Sequence, residues 1–453
     1  SNRVFYLDES VYRGLGGPAI ENWETLEATR FFKRFVAEGT IVHTEEVAPP
    51  SGSADLLTRG FNRFLRHEKI PFVSYPYEWP FSMLKDAALL HLDLLLAAIE
   101  ENMILKDASA FNVQWRGARP VFIDVPSFER YVPGSPWTGY RQFCQMFFFP
   151  LFLQAHKDIS FHSLLRGDIE GLSPSDFVKF LSFRDLLRPG AMTHGYLHAM
   201  AESKFGATKS DVRGELRTAG FHVEMIKAIA RKLRRLVTGL SWKPRSSNWS
   251  EYENEKSYSD PDAQAKSQFV REVIASNQWK VAWDLGCNVG AFSRIAAEQG
   301  LSVVAIDSDH LCIERLYQDL KAQTSDSILP LVGNVANPSP GLGWRGNERK
   351  PLFDRDRPDL IMALALIHHV VITANIPMQE FIDWLAELGA DLVIEFVDKR
   401  DPMVTALLRH RLDQYADYNI ESFECSLQQH FRIERRLPLK SETRTVYFAR
   451  RSN

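Results

Sequence analysis

The second half of the chain alternates between short apolar runs and segments compatible with helices. The apolar runs are "KVAWDL", "LSVVAI", "ILPLV", "LIMALAL" and "DLVIEF". Nearly continuous apolar strands that alternate with helices predict a parallel sheet covered on both faces. Two further β-like runs follow, "FRIERRLPL" and "RTVYFARR", joined by the polar turn "KSET". The pattern therefore predicts an α/β domain whose parallel sheet ends in an antiparallel hairpin.

The first half of the chain has a different pattern, which predicts an α+β, mainly helical domain. The stretch "SMLKDAALLHLDLLLAAIEENM" carries one apolar stripe at helical spacing. The stripe consists of Leu84, Ala88, Leu92, Leu95 and Ile99. Residues 140–153, "YRQFCQMFFFPLFL", are so apolar and aromatic that we expect them in the core or in interdomain packing.

A polar stretch separates the two halves. It reads "SWKPRSSNWSEYENEKSYSDPDAQ" and is rich in Ser, Asn and Glu. Such a composition predicts a linker at residues 241–264. The linker would divide an accessory or substrate domain at 1–240 from a second domain at 265–453, and 453 residues are too many for one hydrophobic core.

The helix before this linker, "EMIKAIARKLRRLV", is amphipathic and basic. Ile226, Ile229, Leu233 and Val237 fall on one face. A solvated helix at a domain edge is the simple interpretation, and a surface for an anionic partner is the alternative.

Composition narrows the class of protein. The net charge of −3 gives no global reason to expect nucleic acid. The four cysteines are scattered without a metal-type pairing, which favours a reduced, intracellular protein with no metal site. We see no secretory signal pattern and no apolar run long enough to cross a membrane, so we expect a cytoplasmic protein.

The stretch "WDLGCNVGAF" joins a predicted strand to a predicted helix. Gly286 and Gly290 bracket the turn, and glycine allows the positive φ angles and the close ligand approach that such turns need. Asp307 ends the next strand about 20 residues later, where an acid can accept hydrogen bonds from ribose hydroxyls. This ordered set predicts a site for a nucleoside-type cofactor.

Residues of about 252–450 resemble the class I S-adenosylmethionine-dependent methyltransferases. The matching motifs are "DLGCNVGAFS", "AID", "LVGNVANPS", "LALALIHHVV" and "VIEF", followed by the closing hairpin. The resemblance implies a Rossmann-like, seven-stranded sheet, with S-adenosylmethionine as methyl donor and S-adenosylhomocysteine as product. The region is also similar to nodulation-protein-like and O-antigen chain-terminating methyltransferases, which points to glycans or secreted natural products.

By this resemblance a set of residues would surround the donor. Asp284, Gly286, Asn288 and Gly290 would lie at its methionine end, Asp307 at the ribose, and Asn334 and Val335 at the adenine, with Cys287, Ser308 and Ala363 completing the set. Two members depart from the family pattern, since Asn288 replaces a common glycine and Asn334 a more usual Asp. An asparagine can still donate and accept hydrogen bonds at these places.

The acceptor side is predicted at the carboxyl ends of the fourth and fifth strands. We expect His368, His369 and Glu395 there as catalytic residues. A histidine could serve as general base because its pKa lies near neutral pH. Two alternatives stay open: one histidine packs against the sheet while the other hydrogen-bonds locally, or positioning supplies most of the rate without a base.

The N-terminal half contains "LKDASAFNVQWRGARPVFIDVPSFE", which resembles the catalytic segment of a degenerate protein-kinase-like fold. Asp107, Asn112 and Asp124 follow the order of a catalytic Asp, a metal-binding Asn and a metal-binding Asp. Arg13 stands roughly where the ATP-binding lysine belongs, whereas a G-x-G-x-x-G loop is missing and "DVPSF" replaces D-F-G. The alternatives are a helical accessory domain in which these residues cap turns, and a former kinase fold that binds the acceptor, a partner protein or a nucleotide.

Together these patterns predict an S-adenosylmethionine-dependent methyltransferase that acts on a small molecule or saccharide. We expect O-methylation, with the N-terminal domain aiding substrate recognition. Three alternatives stay open: a bifunctional kinase–methyltransferase using ATP and magnesium, a non-catalytic scaffold that binds S-adenosylmethionine, and an RNA methyltransferase using the "RKLRR" helix. The sequence leaves the oligomeric state open.

Overall fold

The computed structural model describes residues 2–7, 10–50, 53–200, 223–243, 260–409 and 414–452. The chain divides into two compact units, one formed largely by the residues up to Lys243 and the other largely by those after it. In these described ranges, no helix combines the length and the apolar character that crossing a bilayer requires.

The N-terminal unit begins with an antiparallel four-stranded sheet and short helices. The strands are β1 (Asn2–Leu7), β2 (Ser10–Leu15), β3 (Thr44–Val47) and β4 (Arg63–His67), and the helices are α1 (Pro18–Ala28), α2 (Arg30–Ala37) and α3 (Ala54–Thr58). The strand order is β1-β2-β4-β3, and Arg13 of β2 pairs with Leu65 of β4. The sheet therefore places Arg13 on a central strand.

A long helix and two small strand pairs follow. These elements are α4 (Phe81–Glu100), β5 (Met103–Leu105), β6 (Val113–Arg116), β7 (Arg119–Phe122) and β8 (Phe128–Arg130). Strand β5 pairs with β8, and β6 pairs with β7. All five residues of the predicted apolar stripe on α4 are buried, so that prediction is confirmed.

The rest of this unit is helical. It contains α5 (Tyr140–Phe143), a π-helical turn at Cys144–Phe148, α6 (Phe149–Lys157), α7 (His162–Gly167), α8 (Pro174–Lys179) and α9 (Val223–Gly239). Most of residues 140–153 are buried, as their composition predicts. On α9 the buried face includes Ala230 as well as Ile226, Leu233 and Val237, while Ile229 is only half-buried.

Two of the basic side chains on α9 are paired with acids of α4. Lys227 Nζ lies 2.9 Å from Glu100 Oε2, and Arg234 Nε lies 2.6 Å from Asp93 Oδ1. Pairing of this kind is typical of a helix docked on its own domain, and it reduces the positive charge that this face offers to an anionic partner.

The C-terminal unit is built on a seven-stranded sheet of order β11-β10-β9-β12-β13-β15-β14. Its strands are β9 (Val281–Leu285), β10 (Ser302–Asp307), β11 (Ile328–Val332), β12 (Leu360–Ala363), β13 (Asp391–Val397), β14 (Phe431–Pro438) and β15 (Arg444–Arg451). Strands β9 to β13 are parallel, and β15 runs antiparallel between β13 and β14. The predicted α/β sheet with a terminal antiparallel hairpin is confirmed.

Helices accompany this sheet along the chain. They are α10 (Asp260–Ala275), α11 (Ala291–Glu298), α12 (His310–Ala322), α13 (Met378–Glu387), α14 (Pro402–Leu408) and α15 (Ile420–His430). Large side chains such as Trp283, Tyr317 and Tyr447 are completely buried. The sheet connections leave the carboxyl ends of the parallel strands at one edge, where ligands bind in folds of this kind.

The predicted linker is wrong at its C-terminal end, because α10 already begins at Asp260. Pro261 and acidic residues are tolerated in the first turn of a helix, so this polar composition did not mark a loop. Asp262 is buried and accepts hydrogen bonds from the backbone N–H groups of Lys440 and Ser441, at 2.8 and 3.2 Å. Residues 244–259 of the predicted linker lie outside the described residues.

Candidate functional site

The glycine turn between β9 and α11 has three residues with positive φ: Gly286 at 77°, Asn288 at 51° and Gly290 at 80°. The N–H groups of Gly286 and Cys287 both donate to the carbonyl oxygen of Ile306 in β10, at 2.8 and 3.1 Å. The turn is thus fixed to the neighbouring strand. Asn288 tolerates the left-handed conformation better than most residues, which explains why it can replace a glycine.

The two glycines of this turn also have neighbours that exclude a side chain. A Cβ atom at Gly290 would lie 2.7 Å from Leu316 Cδ1, and one at Gly286 would lie 3.2 Å from Leu366 Cδ1. Close packing and backbone conformation therefore both require glycine here. The result is a tight, partly buried backbone turn at the edge of the sheet, a cradle of the kind a nucleoside cofactor needs.

Asp307, the last residue of β10, connects this turn with the next one. Its Oδ2 atom accepts a hydrogen bond from the backbone N–H of Asn288 at 2.8 Å, and its Oδ1 atom accepts one from Asp309 N–H at 2.8 Å. Burial raises the pKa of Asp307, while these backbone N–H groups act in the opposite direction. Each oxygen keeps a further lone pair with which to accept a ligand hydroxyl.

Asp284 lies beneath the glycine turn and is buried. Ser293 Oγ of α11 donates to Asp284 Oδ2 at 2.5 Å, which ties the helix to the strand. Burial raises the pKa of Asp284 to about 7, and the nearby Asp307 adds to the shift. Burial likewise raises the pKa of Cys287 well above its usual value. Ser293 is the last residue of the motif "DLGCNVGAFS", although it was not among the predicted donor residues.

The remaining predicted donor residues lie along the same edge of the sheet. Asn334 is exposed and its Oδ1 atom accepts the N–H of Ala336 at 2.9 Å, and Val335 beside it is half-buried. Ser308 is exposed just after β10, and Ala363 is buried at the end of β12. Because β11, β10, β9 and β12 are adjacent, the fold brings the predicted donor residues to neighbouring strand ends.

The two predicted catalytic histidines follow β12, and their ring centroids lie 4.1 Å apart. His368 is buried, and its Nδ1 atom has no hydrogen-bond partner among the described residues. Burial lowers the pKa of His368 well below its usual value and lowers that of His369 to about 4, with Arg444 adding to both shifts. Both imidazoles are therefore neutral at neutral pH, and half-buried His369 is the more accessible.

Glu395, the third predicted catalytic residue, is fully buried in β13. Its Oε2 atom accepts hydrogen bonds from Lys266 Nζ at 2.7 Å and from Ala365 N–H at 2.8 Å. Arg444 Nη1 lies 3.6 Å from Oε1, and Arg444 also pairs with Asp401 through bonds of 2.7 and 3.0 Å. The structure thus places Glu395 in a buried four-residue ion cluster instead of on an open surface. Nothing in the sequence pattern singled out its partners.

The predicted kinase-like residues of the N-terminal unit are partly brought together. Arg13 Nη1 lies 2.6 Å from Asp124 Oδ1, and Ser127 Oγ donates to Asp124 Oδ2. Asn112 Nδ2 reaches Ser127 Oγ at 3.5 Å. Asp107 accepts the N–H of Ser109 at 3.0 Å, which is the turn-capping contact of the alternative interpretation. Arg13 and Ser127 therefore occupy both oxygens of Asp124.

The same unit contains a cavity of about 180 Å³. Apolar side chains such as Leu15, Trp23 and Leu65 line it together with polar ones such as Lys106 and Glu129. Within the ranges that the structure describes, no group of three or more His, Cys, Asp or Glu side chains is placed to hold a metal ion.

Comparison with known proteins gives one strong relative. No family model matches the chain. Nodulation protein NoeA of Rhizobium meliloti (strain 1021) is 34% identical over 455 residues, a match that covers 100% of this chain and 94% of that protein.

Solved structures match more distantly and over less than half of this chain. N-methyltransferase NodS from Bradyrhizobium japonicum WM9 is 15% identical, covering 43% of this chain and 98% of its own, with a TM-score of 0.32. Magnesium protoporphyrin IX methyltransferase from Synechocystis PCC 6803, with bound S-adenosylhomocysteine, is 17% identical, covering 45% and 95%, also with a TM-score of 0.32. WbdD is 16% identical, covering 45% of this chain and 43% of its own, with the same TM-score.

Proposed function

We propose that this chain, which belongs to the family of nodulation protein NoeA, methylates an oxygen atom of a small-molecule or saccharide acceptor. We further propose that the chain is an S-adenosylmethionine-dependent methyltransferase with S-adenosylmethionine as its cofactor, which is what its sequence motifs predict. The observation that carries the proposal is the sheet edge at which the glycine turn, Asp307 and the two neutral histidines are collected.

The residues present fit this donor. Gly286 and Gly290 have positive φ angles and pack against Leu366 and Leu316, which fixes the strand-to-helix turn that would hold the methionine end. Asp307 has lone pairs left to accept the ribose hydroxyls, and Asn334 with Val335 would lie beside the adenine. When bound, the donor supplies an electrophilic methyl group on a sulfonium, which the acceptor oxygen takes by in-line displacement.

The acceptor side offers a neutral imidazole as a base. Burial lowers the pKa of both His368 and His369, and the positive charge of Arg444 adds to both shifts. A neutral imidazole can take the proton that a hydroxyl loses during methyl transfer. His369, being neutral and half-buried, is the residue that we propose takes the hydroxyl proton.

Labelled S-adenosylmethionine tests the proposal directly. The protein is incubated with [methyl-³H]-S-adenosylmethionine and fractionated extract, and the labelled product is identified; we expect an O-methylated saccharide or small molecule. Label on an amine would contradict the oxygen assignment, and no transfer to any fraction would contradict catalysis.

His369→Ala tests the proposed base. We expect kcat to fall about 100-fold, with the affinity for S-adenosylhomocysteine unchanged. Because the pKa of His369 is lowered to about 4, wild-type kcat should show no titration of this group between pH 6 and 8. His430→Ala, which removes a partly exposed histidine paired with Asp383, is the matched control and should leave kcat unchanged. Full activity in His369→Ala would rule out this base.

For the N-terminal unit we propose a role in recognising the acceptor. Its cavity offers apolar walls with a polar rim, and Arg13 neutralises the Asp124 carboxylate that phosphotransfer would need for a metal ion. The meeting of Asn112, Ser127 and Asp124 favours the bifunctional alternative. ATP hydrolysis that Asp124→Ala abolishes would establish that alternative, and lack of binding to magnesium ATP in a thermal-shift titration would exclude it.

A further inference from the structure

The ion pair between Lys266 and Glu395 is almost completely closed off from solvent. The exposed fractions of the two side chains are 3% and 0%. Glu395 uses a single oxygen, Oε2, for both Lys266 and the backbone N–H of Ala365, while its Oε1 atom is buried without a hydrogen bond. Lys266 therefore neutralises the carboxylate and also donates to the same Glu395 oxygen that accepts the N–H of Ala365.

Ala365 is an unusual residue to hold. Its φ angle is 51°, a left-handed conformation that costs a residue with a Cβ atom roughly 1 kcal/mol. It begins the turn that leads from β12 to His368 and His369. Its neighbour Leu366 lies against the glycine turn, since a Cβ atom at Gly286 would come within 3.2 Å of Leu366 Cδ1. A single strained turn thus touches the donor cradle and carries the acceptor-side histidines.

Lys266 connects this turn to a separate helix. It projects from α10, and its Nζ atom lies 5.7 Å from the ring centroid of Phe292, near the start of α11. The pair therefore joins α10, β13, the Ala365 turn and the helix that follows the glycine turn. Asp262, also on α10, is anchored instead to the turn between β14 and β15, so the helix has a second, independent attachment.

Stability alone does not account for such a pair. Removing two charges from water costs about as much as their attraction returns, and well-packed apolar substitutes are often as stable or more stable. What an apolar pair could not supply is a hydrogen-bond acceptor for Ala365 N–H. What Glu395 contributes, and an apolar residue could not, is therefore the geometry of the turn.

We propose that Glu395 is a positioning residue for methyl transfer: oriented by Lys266, it fixes the Ala365 turn and so sets Leu366 against the donor cradle and His369 toward the acceptor. This inference rests on the proposed function and assigns Glu395 no contact with the substrate. It replaces the expectation that Glu395 acts on the acceptor itself.

Two charge-free replacements separate positioning from stability. Lys266→Met with Glu395→Gln keeps a side-chain oxygen that can accept Ala365 N–H, whereas Lys266→Met with Glu395→Leu removes it. Neither double variant has a charged side chain at position 266 or 395. Asp262→Asn, on the same helix but bonded to the hairpin turn, is the matched control. Each full-length variant is compared with wild type by thermal unfolding, by hydrogen exchange of the Ala365 amide, and by calorimetric titration with S-adenosylhomocysteine.

We expect the two double variants to have similar melting temperatures but to differ in the exchange of the Ala365 amide and in the affinity for S-adenosylhomocysteine. In the leucine pair, the Ala365 amide should exchange at least about 10-fold faster and S-adenosylhomocysteine should bind about 10-fold more weakly. The glutamine pair and Asp262→Asn should stay within about 3-fold of wild type in both measurements. A leucine pair with wild-type affinity and a protected Ala365 amide would overturn the inference, as would equal losses in both pairs.

Ala365→Pro provides a second comparison that leaves every buried charge in place and serves if the leucine pair does not fold. Proline has no N–H for Glu395 to accept and cannot adopt the positive φ of this turn, so we expect S-adenosylhomocysteine to bind about 10-fold more weakly and kcat to fall about 3-fold or more. Unchanged affinity and kcat would contradict positioning. A wild-type protein that does not bind S-adenosylhomocysteine would instead count against the proposed function, so the two failures are distinguishable.

Discussion

Asp307 and Asp124 both stand at the carboxyl end of a β-strand or just after it, and the sequence predicts a ligand-binding role for each. Their partners differ in kind. Asp307 accepts hydrogen bonds from two backbone N–H groups, those of Asn288 and Asp309. Asp124 is bonded to the guanidinium of Arg13 and the hydroxyl of Ser127.

This difference in partners determines which of the two carboxylates is available to bind a ligand. Backbone N–H groups orient Asp307 without cancelling its charge, and they belong to the turns that would surround a donor. The guanidinium of Arg13 neutralises the charge of Asp124, which weakens the attraction of this carboxylate for a metal ion. An acid at a strand end is thus held by backbone N–H groups in one unit and by a side-chain cation in the other.

The largest expected effect comes from closing the cradle beside Asp307. Gly286→Val forces a β-branched residue to a φ of 77° and places its Cβ atom 3.2 Å from Leu366. We expect the affinity for S-adenosylhomocysteine to fall more than about 100-fold, since strain and overlap together cost several kcal/mol. Calorimetric titration measures it. Gly300→Val, also at positive φ but with open space around it, is the control and should bind normally.

Asp307→Ala and Asp124→Ala test the comparison itself with the same substitution in each unit. Asp307→Ala should weaken S-adenosylhomocysteine binding about 30-fold, because hydrogen bonds from ribose hydroxyls to a carboxylate contribute about 2 kcal/mol. Asp124→Ala should leave this affinity unchanged. Equal effects, or wild-type affinity in Asp307→Ala, would refute the placement of the donor.

The ionisation of Asp284, a buried neighbour of Asp307, should appear in the pH dependence of the protein's stability. Burial raises the pKa of Asp284 to about 7 from an ordinary 3.8, so ionisation costs the folded state. A raised carboxyl pKa gives stability that is complete below the unfolded-state pKa and lost as pH rises through the folded-state pKa.

We therefore expect Asp284→Asn to gain stability relative to wild type between about pH 4 and pH 7, by an amount on the order of 4 kcal/mol. Unfolding of the ligand-free proteins by urea at pH 5 and pH 8 measures the difference. An identical pH dependence in the two proteins would show that Asp284 is not the titrating group.

The smallest expected effect concerns the pair in the N-terminal unit. Arg13→Met leaves Asp124 with only its hydroxyl partner, and we expect a loss of about 1 kcal/mol of unfolding free energy. In a double-mutant cycle, adding Asp124→Ala to Arg13→Met should cost less than Asp124→Ala does alone. Strict additivity would mean that Arg13 does not hold Asp124, and the contrast with Asp307 would lose its basis.

Much of the donor side could be predicted because its signals are local. Gly286, Gly290 and Asp307 follow from the requirements of a strand-to-helix turn and of the next strand end, all within a short stretch of chain. The apolar stripe on α4 and the closing hairpin follow in the same way from periodicity.

The acceptor side could not be predicted in the same way. Glu395 was singled out from its place near the carboxyl end of a strand, but Lys266, Arg444 and Asp401 come from three other segments and form no motif. The polar residues at the start of α10 predicted a linker, whereas the structure has a helix there. The residues that cap a helix and the residues of a linker have a similar composition.

The sequence by itself therefore determined the α/β class, the parallel sheet with its closing hairpin, and the identity of the residues in the glycine turn. Only the tertiary structure decided what each charged side chain is bonded to. Whether a charged side chain can bind a ligand depends on which partners the fold brings within about 3 Å of it. Those partners come from distant parts of the chain. That is why Asp307 is oriented by two backbone N–H groups, Asp124 becomes half of an ion pair, and Glu395 accepts the N–H of a turn.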